Sequence, residues 1–287
     1  MRAACSFFEH KLSLLSSELD SKAVLDLGYE LHKFPLASEE MLATVTRVLL
    51  EKALHDVPAQ VLCAVLLEHL VQVRELSETS EPEAPAGPGW YFSTARGAIA
   101  GPFSSRSAAF DEGLVLCPLR SSLIAAVHNE FQAVTEPVSE QERLGVRQRR
   151  LATIAFMSHL YVSKDMVSCQ LISSCCDTLL AGGDLSSAHF DLEGICALLS
   201  ICGELLELEG EHRAPFSMDR CISLIREAES SRLQAWRVSL IAQELLVLHS
   251  RSWRRVPLAN GPDAASQGLL DPASRMNHRI LCLMFGE

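Results

Sequence analysis

The chain has 287 residues, 48% of them apolar and 21% charged, which is long enough to bury a sizeable core and too hydrophobic for global disorder. Its 36 acidic and 25 basic residues leave a formal charge of −11, which argues against general polyanion binding except where bases cluster locally. Apolar runs such as Leu62 to Leu67 and Ile280 to Phe285 fall far short of the roughly 18–20 residues that cross a bilayer, so no membrane partner is expected.

At the start, Glu9, His10 and Lys11 interrupt the apolar character too early for a secretory signal. From there the apolar period stays close to 3.6, which predicts helices at about 5–19, 22–33, 39–54 and 58–76. In the third, Met41, Val45, Val48 and Leu49 mark one face, and Glu39 and Glu40 suit the positive N-terminus. Asp56 can cap the fourth and Pro58 suits its first turn, ahead of a stripe of Val61, Leu62, Val65, Leu66, Leu70 and Val73. Residues 77–89 are acidic and rich in Pro and Gly, and 90–118 lack helical periodicity. The stretch 77–118 therefore reads as an insertion, pinned to a helical body by Trp90, Tyr91, Phe92 and Phe103.

Helical pattern resumes at 119–134, 139–162, 166–180, 188–208, 217–229 and 231–250, with Gly182, Gly183 and Gly210 expected just past helix ends. Segment 139–162 turns apolar on several faces through Leu151, Ile154, Phe156, Met157, Leu160 and Tyr161, which places it inside a stack. Ten helices make about five antiparallel pairs. Each amphipathic pair needs neighbours to cover its apolar face, so an all-α solenoid is expected over 1–256, interrupted by 77–118. The tail, 257–287, begins Pro/Gly-rich and is expected to add one short helix near 273–285.

Chemistry is harder to find. The ten histidines are dispersed, and His189 and Asp191 point to different faces of a helix. Glu204 and Glu207 can share a face, but a solvated acidic face is the commoner meaning. Gly182-Gly183 lacks the following Lys-Ser/Thr of a phosphate loop. The ten cysteines sit singly or adjacent, without Cys-x-x-Cys, and read as buried reduced thiols. No catalytic residue, metal set or cofactor is expected. Twenty of the 25 bases are arginine, and Arg143, Arg147, Arg149 and Arg150 fall within eight residues, with Arg254 and Arg255 near the far end. These six are candidates for binding single-stranded RNA or a partner; alternatively they cap helix ends or pair with Glu140, Glu142 and similar acids.

From Arg149 onward the sequence resembles the middle-domain family of translation initiation factor 4-gamma, a HEAT-type helical repeat. Arg149-Arg150 followed by Ile154, Phe156, Leu160 and Tyr161 is similar to one family helix, and Leu198-Leu199 with Gly203, Leu206 and Glu207 to a later one. Met218-Asp219 stands where family members begin another helix, and Leu245 to Trp253 resembles their last. His159 and His249 depart from the family's usual Glu and Arg. The resemblance implies a HEAT-like solenoid; by their own chemistry Phe156, Leu160, Leu206 and Trp253 read as core, and Gly203, costly inside a helix, is expected to mark close approach by a neighbouring helix. It also implies a non-enzymatic adaptor of cytoplasmic, or also nuclear, mRNA translation. Implied partners are translation initiation factors, a DEAD-box helicase, mRNA-binding proteins and RNA itself; pairing with a second copy of the chain through a solenoid face is left open by the sequence. Small single-domain members are the nearest in build, one partnering the histone mRNA stem-loop-binding protein, another the poly(A)-binding protein. The missing poly(A)-binding-protein motif favours the first.

Overall fold

The computed structural model describes residue 10 and residues 21–32, 39–79, 118–133, 139–163, 166–181, 188–213, 218–230, 236–253 and 284–285. Among these are nine α-helices: α1 (Ser21–His32), α2 (Glu39–His55), α3 (Gln60–Thr79), α4 (Pro118–Gln132), α5 (Glu140–Val162), α6 (Cys169–Ala181), α7 (Ala188–Arg213), α8 (Met218–Ser230) and α9 (Trp236–Ser250). The described residues contain no strand. The predicted helix 5–19 (His10 aside), the insertion from residue 80 to 117, Gly182-Gly183, and the tail apart from Met284 and Phe285 lie outside the described residues.

Local chemistry explains the boundaries that the structure sets. Ser139 and Glu142 form a reciprocal capping box: Glu142 N–H donates to Ser139 Oγ at 3.2 Å, and Ser139 N–H to Glu142 Oε2 at 3.0 Å. Asp56 caps a 3-10 turn, Val57–Ala59, that leads into α3, accepting from the Ala59 N–H at 3.2 Å. Two expectations move. α3 runs on to Thr79 and α4 starts at Pro118, so both edges of the predicted insertion are helical. Gly210 lies inside α7, which continues to Arg213 because the helix tolerates one glycine at a cost of about 1 kcal/mol.

The helices stack in two layers. α1, α3, α5, α7 and α9 each pack against the next odd-numbered helix, and α2 packs on α4. Between layers, α2 pairs with α3, α4 with α5, α6 with α7 and α8 with α9. This is the all-α solenoid the sequence predicts, with four complete pairs and α1 among the described residues. α5 and α7 form its centre. Every residue from Leu151 to Tyr161 is buried, and so is every residue from Asp191 to Gly203. Their hydroxyls stay satisfied by turning back on their own helices: Ser158 Oγ donates to Ile154 O at 2.8 Å, and Ser200 Oγ to Ala197 O at 2.8 Å.

The α3 stripe is wider than its sequence period suggests. Leu66 and Leu70 are buried as expected, Leu62 and Val65 only partly so, and Cys63, Ala64 and Leu67 join the core. Packed against α1, α2 and α5 together, α3 has no exposed residue from Gln60 to Val71. Fully buried Gln60 ties these layers, donating from Nε2 to Ala53 O at 3.0 Å and to Ala152 O at 2.9 Å.

Candidate functional site

The arginine cluster opens α5, where one residue's step of 100° decides which neighbour each side chain meets. Arg147 and Arg150 are three apart and reach the start of α7. Arg147 holds Glu193 with two parallel bonds, Nε to Oε2 at 2.6 Å and Nη2 to Oε1 at 2.5 Å, and the two side chains are only 10% and 4% exposed. Arg150 Nη2 reaches Asp191 Oδ1 at 2.9 Å. Asp191 stands in the first turn of α7, where the helix dipole favours negative charge, and Glu193 lies two residues further in. Burial raises the Asp191 carboxyl above its ordinary range, opposed by the Arg150 charge.

Arg149 faces the other way and joins three helices. It donates from Nε and Nη2 to Glu130 on α4, and from Nη2 to Glu51 Oε1 on α2 at 2.9 Å. Its hydrogen bonds to Glu130 and Glu51 push the guanidinium further up, and in return hold the Glu51 carboxyl below its ordinary value. Arg143 is exposed and lies 3.4 Å from Glu140. Of the four described candidate arginines, three are thus staples between helices and one pairs within its own. Arg254 and Arg255 lie outside the described residues.

A second constellation gathers the motif residues at the far end of the stack. The chain leaves α9 through Ser252 (φ 51°) and Trp253 (φ 60°), both left-handed, with Trp253 N–H donating to Leu248 O at 3.0 Å. That turn lays the indole over Gly203 on α7, so closely that a Cβ there would collide with three carbons of the six-membered ring. Indole Nε1 donates to Glu207, whose other oxygen lies 3.8 Å from His249 Nε2, and the His249 ring meets the indole edge-on at 5.3 Å. Gly203 does admit a close neighbour, but it is the Trp253 side chain beyond the end of α9 rather than the neighbouring helix that the sequence suggests. Ile154, Phe156, Leu160, Tyr161 and Leu206 are buried; Met218 is half-buried and Asp219 exposed in the first turn of α8. His159 is buried.

Two features were not legible in the sequence. Arg237 on α9 donates from Nη2 to the carbonyl of Met284, which is itself fully buried. Large apolar side chains also remain exposed on the helices, namely Tyr29, Leu144, Leu208, Trp236 and Val247. An isolated arginine and an apolar residue late in a Pro/Gly-rich tail carry no local signal of meeting. Among the described residues no group of three or more His, Cys, Asp or Glu side chains is placed to hold a metal. No described helix is long and apolar enough to cross a membrane.

Residues 114–252 match the family model described as the MIF4G domain. Eukaryotic translation initiation factor 4G of Arabidopsis thaliana is 26% identical over 128 residues, which is 45% of this chain and 7% of that protein. The match takes in α4 to α9, the helices that carry the arginine staples, Gly203, Glu207 and His249. The ordered motifs, the paired-helix stack and this match converge: through residues 114–252, just under half of its length, the chain is similar to the MIF4G-domain family.

Proposed function

We propose that the protein is a non-enzymatic adaptor in mRNA translation, binding translation initiation factors or mRNA-binding proteins through the surface of its helical stack, in the cytoplasm. The observation that carries this reading is the MIF4G match over α4 to α9, laid on a stack in which three of the clustered arginines hold helices together. Arg147, Arg149 and Arg150 already face carboxylates, so phosphate would have to displace Glu193, Glu130, Glu51 and Asp191. A protein surface is the easier partner. Exposed Trp236 is a side chain of the type enriched at protein interfaces, and Leu144 and Leu208 add exposed apolar surface elsewhere on the helices. A helicase contact through the family's charged positions is disfavoured, because His159 is buried and His249 is held between Glu207 and Trp253.

Affinity purification from cell extract with mass spectrometry, with and without nuclease, tests this. Translation factors or RNA-binding proteins retained after nuclease support the adaptor. Recovery abolished by nuclease, together with RNA affinity falling as log salt with a slope near −3.5 for about five phosphate contacts, would replace it with direct RNA binding.

A further inference from the structure

Arg237, in the first turn of α9, is half-buried and poorly partnered. Its Nη2 donates to the Met284 carbonyl, while its Nε is buried with no hydrogen-bond partner. It makes no ion pair among the described residues. The Glu193 charge favours it, but that carboxylate is already gripped by two nitrogens of Arg147, and Arg147 repels it. Burial, and then the Arg147 charge, hold the Arg237 guanidinium below its ordinary pKa.

Apolar seating lies at the same place. Met284 is 0% exposed and Phe285 packs on the core beside it, whereas Trp236, next to Arg237, leaves 76% of its surface in water. A neutral carbonyl is a modest acceptor for a guanidinium; a carboxylate forms a bond roughly twice as strong. The seat therefore offers more than its present occupant uses. We propose that this end of α9 is a docking site for a partner segment combining an apolar side chain with a carboxylate, and that Met284 and Phe285 fill it as the chain's own replaceable ligand. This rests on the adaptor reading and names the partner chemistry at one of its surfaces. A tethered occupant acts at an effective concentration in the millimolar range, so only a segment with a better contact displaces it. The carboxylate on Arg237 is that contact.

The probe is a fluorescent peptide of residues 280–284 with Cys282→Ser, made with either a free C-terminal carboxylate or an amide. The first form turns the carbonyl held by Arg237 into a carboxylate. Both are titrated by anisotropy against the whole chain and against a Met284→Ser/Phe285→Ser variant of it. On the variant, the carboxylate peptide is expected to bind about tenfold tighter than the amide and about tenfold tighter than on the unaltered chain. Adding Arg237→Gln should remove the carboxylate preference. No binding to the variant, equal binding of the two peptides, or a preference that survives Arg237→Gln overturns the proposal. If Arg237→Gln fails to fold, ionic strength decides: the preference must grow as salt falls, and a salt-independent preference overturns the site. Partners recovered equally by the unaltered chain and Arg237→Gln, with both peptides silent, would remove this site and leave the adaptor reading standing.

Discussion

Gly203 and Trp253 make sense only as a pair. In isolation Gly203 weakens α7 by about 1 kcal/mol relative to alanine, and the two left-handed residues at the end of α9 cost about 1 kcal/mol or more each. The indole packed on Gly203 and bonded to Glu207 offsets both. Gly203→Ala is expected to destabilise by about 1–3 kcal/mol, since the ring cannot retreat without breaking the Glu207 bond. In a Trp253→Leu background the same change should become neutral or stabilising, because helix propensity is then all that remains. Urea unfolding of the four chains measures the coupling, and additive effects would contradict the contact. Arg147 and Glu193 form a second such pair. Arg147→Met strands a carboxylate that is 4% exposed, with an expected loss of about 3–5 kcal/mol. Adding Glu193→Leu should recover most of it, read from the same unfolding curves.

Arg149 turns an alignment of helices into an electrostatic junction, since α2, α4 and α5 meet at one guanidinium. The Glu51 carboxyl is held below its ordinary value of 4.5, chiefly by the Arg149 hydrogen bond. A carboxyl with a depressed folded pKa contributes stability that is present above its unfolded value and lost as pH falls through the folded one. The chain should therefore exceed Glu51→Gln in stability at pH 6, and the gap should close as pH drops well below 4.5. Both side chains are partly exposed, so the gap is expected to be small, at most about 1 kcal/mol. Denaturant midpoints at pH 6 and pH 3 check the convergence. α5 also shows how two halves of one helix divide labour. Its first turns, Glu140 to Gly145, are exposed and capped by Ser139, while its second half is buried all round.

Across the molecule, the sulphur chemistry reports the integrity of the stack. The seven described cysteines are all buried and free. Burial pushes the thiols of Cys63 and Cys175 up to about 12 and that of Cys221 to about 11. Thiolate is the reactive form, so at pH 8 these sites should resist alkylation in the native protein and react together on unfolding. Peptide-resolved labelling by mass spectrometry across a urea series should place them on one transition. Early reaction of Cys175 alone would show that α6 opens independently of the core. Stacking of the odd-numbered helices, each covering the next, predicts a common transition.

The sequence by itself determined the helical class, most helix positions to within a few residues, the all-round burial of α5 and the order of family motifs from Arg149 to Trp253. Those properties are local: the 3.6-residue period, caps and turn residues act over a few positions, so they can be read along the chain. Only the tertiary structure decided what the charges do. Arg143 finds Glu140 nearby, but Arg147, Arg149 and Arg150 find partners 19 to 98 residues away, and Glu142 serves a cap. Which carboxylate an arginine meets depends on which helix becomes its neighbour and how it is rotated, and no local pattern encodes that. The same reason hid the meeting of Arg237 with Met284, which exists only because the stack brings the tail back to α9.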